Sequence, residues 1–244
     1  MLIQPTLQKL QTLKCFGMLK ALEEQMTAVQ SADLSFDDRL GLLVDREITE
    51  RDNRRFQSRL KNAKLKQSAC MEDIDYKHHR GLDKSQWIAL SSSEWIQTHL
   101  NILITGPTGV GKTYLACALG HQACRTGYST LYLRIPRLFE DLLLAKGTGR
   151  YAKMLASLAK IDLLILDDWG LSTLTEEQRR DFLEIIEDRT HCRSTLITGQ
   201  VPTDHWHKII GDPTLADAIL DRLVHNAYKI NLKGESLRKK RGTH

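Results

Sequence analysis

The chain has 244 residues, 41% hydrophobic and 27% charged, with a net charge of +5 at neutral pH. That is the profile of a soluble globular protein with one sizeable core, or one core plus a small appended domain. No apolar run is long enough to span a membrane, the N-terminus lacks a signal-peptide core, and the modest positive excess permits nucleic-acid binding without requiring it.

Residues up to about Lys66 read as helical. Leu7, Leu10, Leu13 and Met18 recur at helical spacing, with Leu22 one turn beyond. "SADL" interrupts, and Ser35–Asp38 resembles a capping box. Leu40, Leu43, Val44 and Ile48 then form an apolar stripe. It leads into a run in which Arg46, Arg51, Arg54, Arg55, Arg59, Lys61, Lys64 and Lys66 face only Glu47, Glu50 and Asp52. Two readings stay open for this run: a solvated helix face, or a basic helix along a phosphate backbone. The helical N-terminal domain is placed at 1–68. Residues 69–99, with Trp87 and Trp95, form a connector with short helices.

From Leu100 the pattern changes. "LNILIT", "STLYLRI", "IDLLILDD", "STLITG" and "AYKINL" read as five strands, alternating with helical stretches such as "YLACALGHQACRTG", "LFEDLLLAK", "TEEQRRDFLEIIEDRT" and "PTLADAILDRLVH". Such alternation predicts an α/β fold with a parallel sheet covered on both faces. This core spans 100–232, and a basic tail, 233–244, follows. The five cysteines, Cys15, Cys70, Cys117, Cys124 and Cys192, include no C-x-x-C pair and are odd in number. They read as reduced thiols in a cytoplasmic protein.

"GPTGVGKT" matches the full phosphate-loop pattern G-x-x-x-x-G-K-[ST], directly after a strand and opening a helix. Its stretch, Gly106, Pro107, Thr108, Gly109, Val110, Gly111, Lys112, Thr113 and the following Tyr114, is assigned to nucleotide binding. The three glycines let backbone N–H groups turn toward phosphates, Lys112 reaches the β- and γ-phosphates, and the Thr113 hydroxyl can hold Mg²⁺. The third strand ends in Asp167 and Asp168. Asp167 is the expected Mg²⁺-side acid, direct or one shell removed. Asp168, pointing the other way if strand geometry persists, would orient and deprotonate the attacking water.

At the end of the fourth strand, Thr198 or Gln200 could sense the γ-phosphate or hold that water. Arg222, beside Ile219, Leu220 and Leu223, either packs and pairs locally or reaches the triphosphate of a neighbouring subunit. Arg238 is a second candidate for contacting phosphate or a neighbour. His78, His79 and the pair His205 and His207 lack the acid or cysteine partners of a metal site.

Together these parts resemble the AAA+ class of P-loop ATPases, and more closely the IstB-like transposition helpers, relatives of the DnaC-type helicase loaders. The resemblance runs through "LLVDREITERDNRRFQSRLKNAKLK", "NILITGPTGVGKTYLACALG", "DLLILDDWG", "STLITGQVPTDHW" and "LDRLVHNAYKINLKGESLR". It implies an AAA+ P-loop NTPase with a five-stranded parallel sheet, the fourth strand between the first and third, behind a small all-helical N-terminal domain. It also implies ATP and Mg²⁺ as cofactors, a homo-oligomer in which Arg222 acts as an arginine finger, target duplex DNA, and a partner transposase that the protein stimulates. Two residues depart from the class: Asp168 stands where Glu is usual, and Gln200 where Asn is usual. The alternative is a helicase-loader-type ATPase in replication. A small-substrate kinase fits poorly with the Asp pair, Arg222 and the basic helix, and a nucleotide-gated scaffold would hydrolyse ATP only slowly.

Overall fold

A computed structural model describes residues 3–28, 33–76 and 80–237. Arg238, His78 and His79 lie outside the described residues. The five apolar runs form the five expected strands: β1 (Asn101–Thr105), β2 (Thr130–Arg134), β3 (Leu163–Trp169), β4 (Ser194–Gly199) and β5 (Ala227–Asn231). Every pairing is parallel, and the order across the sheet is β2-β3-β4-β1-β5. β4 therefore lies between β1 and β3, as the resemblance implies. Thr105 pairs with Gly199, and Leu166 with Ile197, so the ends of the three central strands meet at one edge of the sheet.

Period-two alternation splits the strand residues between two cores. Ile102, Ile104, Leu163, Ile165 and Leu196 share one core with Leu115, Ala116 and Leu119 of α6 (Lys112–Arg125). Leu103, Leu164, Leu166 and Ile197 share the other with helices α7 (Ile135–Gly147), α9 (Glu176–Glu187) and α11 (Pro213–Val224). Local chemistry sets the helix starts. α9 opens on a capping box formed by Thr175 and Gln178. α11 opens on Asp212, which accepts from Leu215 N at 2.8 Å, with Pro213 in the first turn. Short helices α4 (Lys84–Leu90) and α5 (Glu94–Gln97) occupy the connector. Two helices were not expected from the pattern: α8 (Tyr151–Lys160) and α10 (Trp206–Ile210). Neither reaches three full turns of periodicity: α8 has ten residues and α10 five. Among the described residues no helix is long and apolar enough to cross a membrane.

The chain divides into two compact units, one ending at Ser58 and one beginning at Arg59. The division falls inside α3 (Phe36–Ala63), ten residues before the expected boundary at 68. Side-chain anchoring explains the difference: Arg59 Nε donates to the Cys124 carbonyl on α6 at 2.8 Å, and Ala63 is fully buried.

In the N-terminal unit the spacing from Leu7 to Leu22 does not continue as one helix. It breaks between α1 (Gln4–Thr12) and α2 (Phe16–Thr27), where Lys14 takes a left-handed backbone (φ 56°). The new helix start is capped by a side chain from α3. The buried Glu47 carboxylate accepts from Gly17 N at 2.7 Å and Met18 N at 3.1 Å, and from Arg51 Nε at 2.6 Å. The four arginines of the basic run that lie in this unit have partners within it: Arg46 pairs with Glu24, Arg51 and Arg54 with Glu47, and Arg55 with Asp52.

Burial alone would raise the Glu47 carboxyl, but Arg51 and the two backbone donors together hold it below its ordinary value. The folded state thus favours the ionised form, so Glu47 stabilises at neutral pH and loses that contribution as pH falls through the folded pKa. Glu47→Ala should cost about 2 kcal/mol in chemical denaturation at pH 7. The gap to the wild type should narrow as the pH is taken below the usual glutamate range.

Candidate nucleotide-binding site

β1 ends at Thr105, and the chain turns through the glycine-rich loop into α6. Gly109 (φ 86°) and Gly111 (φ 97°) take backbone conformations that disfavour any side chain. At Gly109 an added Cβ would also collide with Ser236 Oγ. The loop is therefore covered on one side by 236–237, and Leu237 N donates to the Gly109 carbonyl at 2.9 Å. Lys112 curls back over the loop, its ammonium donating to the carbonyls of Gly106 (2.7 Å) and Pro107 (2.8 Å).

A cavity of about 360 Å³ opens in front of the loop. It brings together Thr108, Gly109, Gly111, Lys112, Thr113, Tyr114, Asp168, Thr198 and Gln200 from the expected set. Gly106 and Pro107 stand behind it as acceptors for Lys112, and Val110 points into the core.

The two acids occupy different environments, and simple alternation is not the reason. Leu166 pairs with Ile197 but Trp169 pairs with Gly199, so three steps on β3 match two on β4. Asp168 is the extra residue of a β-bulge, with φ 67°. Asp167 keeps the face of Leu163 and Ile165, toward α6, while Trp169 joins Leu164 and Leu166 on the other face. Asp168 is left at the cavity wall.

Asp167 is 1% exposed. It accepts from Thr113 Oγ1 at 3.0 and 3.1 Å, from the Thr198 hydroxyl and from the Tyr132 hydroxyl. Burial and the Asp167 hydrogen bond push the Tyr132 phenol far above its ordinary pKa, so it stays a donor at any working pH. The Lys66 ammonium lies 3.9 Å from Asp167 Oδ2. Asp168 accepts instead from Arg134 Nε at 2.7 Å. The structure thus separates the two β4 candidates: Thr198 is buried against Asp167, and Gln200 stands exposed on the cavity rim.

Arg222 lies elsewhere. Its Nε is 2.5 Å from Glu187 Oε2, and its Nη1 donates to the Ala218 carbonyl at 2.8 Å. Its own carbonyl accepts from Asn101 Nδ2 at 3.3 Å, at the start of β1. The phosphate loop follows the other end of that strand, roughly 13 Å away at ~3.3 Å per residue.

Sequence reasoning missed Lys66, Tyr132, Arg134 and Arg80. Polar residues at the end of "STLYLR" were a usable signal, because parallel pairing sets Arg134 beside Asp167. Arg80 gave none. Its buried guanidinium lines the cavity beside Gly111 and donates to the Val110 carbonyl at 3.4 Å, and burial lowers its pKa.

A family model matches residues 8–244, the IstB-like ATP binding proteins. The chain belongs to this family. It is 54% identical over 239 residues to an insertion sequence ATP-binding protein of Sinorhizobium fredii, covering 98% of both chains. It is 32% identical over 219 residues to the insertion sequence IS21 ATP-binding protein of Pseudomonas aeruginosa, covering 90% of this chain and 83% of the relative. Among solved structures it is similar to DnaI (TM-score 0.57, 21% identity, 72% of this chain and 93% of that one). It is also similar to the replication initiator DnaA bound to AMPPCP and single-stranded DNA (TM-score 0.57, 17% identity, 70% and 52%). The fold is that of the AAA+ P-loop ATPases.

Gly109→Ala should destabilise the protein by about 1–2 kcal/mol from its backbone conformation alone, read by thermal denaturation. Adding Ser236→Gly should recover only the part due to the steric clash.

Proposed function

We propose that this IstB-like ATP binding protein hydrolyses ATP with Mg²⁺ and, as a homo-oligomer on target duplex DNA, stimulates the transposase of its insertion sequence. The carrying observation is the division of labour at the end of β3, beside the phosphate loop. Thr113 and Asp167 offer hard oxygen donors, one hydroxyl and one carboxylate. That set suits Mg²⁺, which takes few protein ligands and completes its shell with phosphate oxygens and water. When bound, Mg²⁺ would neutralise charge developing on the β- and γ-phosphates.

Lys112 exchanges its two loop carbonyls for phosphate oxygens. Asp168, at the cavity wall, orients the attacking water and takes its proton, and Arg134 positions the carboxylate. Thr198 holds Asp167, and Gln200 meets the γ-phosphate at the rim. Tyr114 and Thr108 flank the bound nucleotide. Arg222, at the opposite end of β1 from its own loop, acts on the triphosphate of a neighbouring protomer. Arg238, next in sequence after Leu237, contacts phosphate or a neighbour.

The N-terminal arginines support contact with DNA despite their ion pairs. Arg46 and Arg55 make pairs in which both partners are exposed, worth under ~1 kcal/mol, so DNA phosphates can compete for them, whereas Arg51 and Arg54 are held by the buried Glu47. The similarity to the DnaC helicase loader (TM-score 0.50, 18% identity, 72% and 99% covered) keeps helicase loading as a second reading. The full-length likeness to insertion sequence proteins favours transposition.

ATPase assays with and without duplex DNA test this. Lys112→Ala should abolish turnover. Arg222→Ala should lower it by roughly 10³-fold or more. Mixing the two variants should restore part of the activity, because one supplies the arginine and the other the intact loop. Absence of rescue, together with a monomer on gel filtration in ATP, would sink the inter-subunit reading. DNA affinity should fall steeply with salt. Stimulation by a helicase partner in place of the transposase would favour the second reading.

A further inference from the structure

Lys66 belongs to no nucleotide motif, yet the fold delivers it to the buried acid. α3 ends at Ala63, and Lys64 turns the chain with a left-handed backbone (φ 51°). Leu65 then packs on α6 at Gly120, where an added Cβ would come within 2.9 Å of Leu65 Cδ2 and 2.7 Å of Ile165 Cδ1. Lys66 reaches Asp167, and Gln67 lines the nucleotide cavity. Residues 64–67 are thus pinned between α6 and the acid.

The hydroxyls of Thr113, Thr198 and Tyr132 satisfy Asp167 as an acceptor but carry no charge. A buried carboxylate also needs a cation nearby. The Lys66 ammonium supplies it from the solvent side, with 42% of its side chain exposed. A divalent cation arriving with ATP would meet the same carboxylate, and two cations a few ångströms apart repel.

We propose that Lys66 is the resident counter-ion of Asp167 and is displaced when Mg²⁺ and ATP bind together. It is a positioning residue: it holds 64–67 down in the metal-free state and releases the segment in the loaded one. This rests on the reading of Asp167 as the Mg²⁺-side acid.

The test compares the affinity of the full chain for a fluorescent ATP analogue in Mg²⁺ and in EDTA, for wild type, Lys66→Met and Lys66→Arg. The Mg²⁺ preference should rise about fivefold in Lys66→Met, the worth of a partly exposed ion pair. It should stay near the wild-type value in Lys66→Arg. In the wild type, amide hydrogen exchange at 64–67 should be faster with Mg²⁺ and ATP than with ATP in EDTA. This measurement stands even if Lys66→Met folds poorly. An unchanged preference in Lys66→Met, or exchange at 64–67 indifferent to the metal, overturns the proposal while leaving the metal-side acid intact. A wild type with no Mg²⁺ preference removes that acid's role and the proposal with it.

Discussion

The structure depends on keeping one carboxylate inside the sheet. Asp167 sits at the end of a central strand, 1% exposed, where an ionised group is costly unless it is paired and hydrogen-bonded. Its donors converge from separate elements: Thr113 at the start of α6, Tyr132 on β2, Thr198 on β4, and Lys66 beyond α3. Only a sheet that flanks β3 with both β2 and β4 can bring two strand hydroxyls to its end. Only a helix that crosses that face immediately after the phosphate loop can add the third. Strand order and site chemistry are therefore one constraint.

The bulge at Asp168 follows from packing on the opposite face. Trp169 is fully buried there, its ring centroid 4.7 Å from that of Phe182 and 5.3 Å from that of Trp206. This packing accompanies a left-handed backbone at Asp168 and leaves the Trp169 indole N–H buried without a hydrogen-bond partner among the described residues. The strand takes in one extra residue so that Trp169 reaches the aromatic cluster, and Asp168 is displaced to the cavity wall. A hydrophobic contact thus decides which of two neighbouring acids faces solvent, and Arg134 then fixes its direction.

What was legible in the sequence was what is contiguous. The loop from Gly106 to Thr113 and the five strands carry their signals within a few residues, and the sheet matches them. The strand order came from the resemblance, since local pattern contains no pairing information. Tyr132 and Arg134 were legible only as polar residues at a strand end, with a partner that parallel register decides, and Lys66 was invisible because a turn at Lys64 brings it in from a distant segment. Thr198 and Gln200 looked equivalent as strand-end polar residues. Burial separates them, and burial depends on which neighbour lies across the strand end. The break at Lys14 was hidden for a similar reason: its stabilising partner, Glu47, is thirty residues away from the helix start it caps.

Arg222 shows how the same fold limits what one protomer does alone. Its backbone is tied to the start of β1 through Asn101, while the phosphate loop leaves from the other end of that strand. A guanidinium on α11 would have to travel the length of β1 to reach its own nucleotide, along the core that α11 shares with β1, β3 and β4. Glu187 meanwhile gives the arginine a partner on its own side. On the proposed reading, a lone protomer carries the loop, the metal-side acid and the water-side acid but lacks the charge that stabilises the transition state. Hydrolysis would then report assembly rather than nucleotide binding. With Asp168 one methylene shorter than the usual Glu, the assembled site would turn over slowly. On that same reading a slow site would give the proposed DNA-bound complex a long ATP-loaded state, the state a partner enzyme would have time to find.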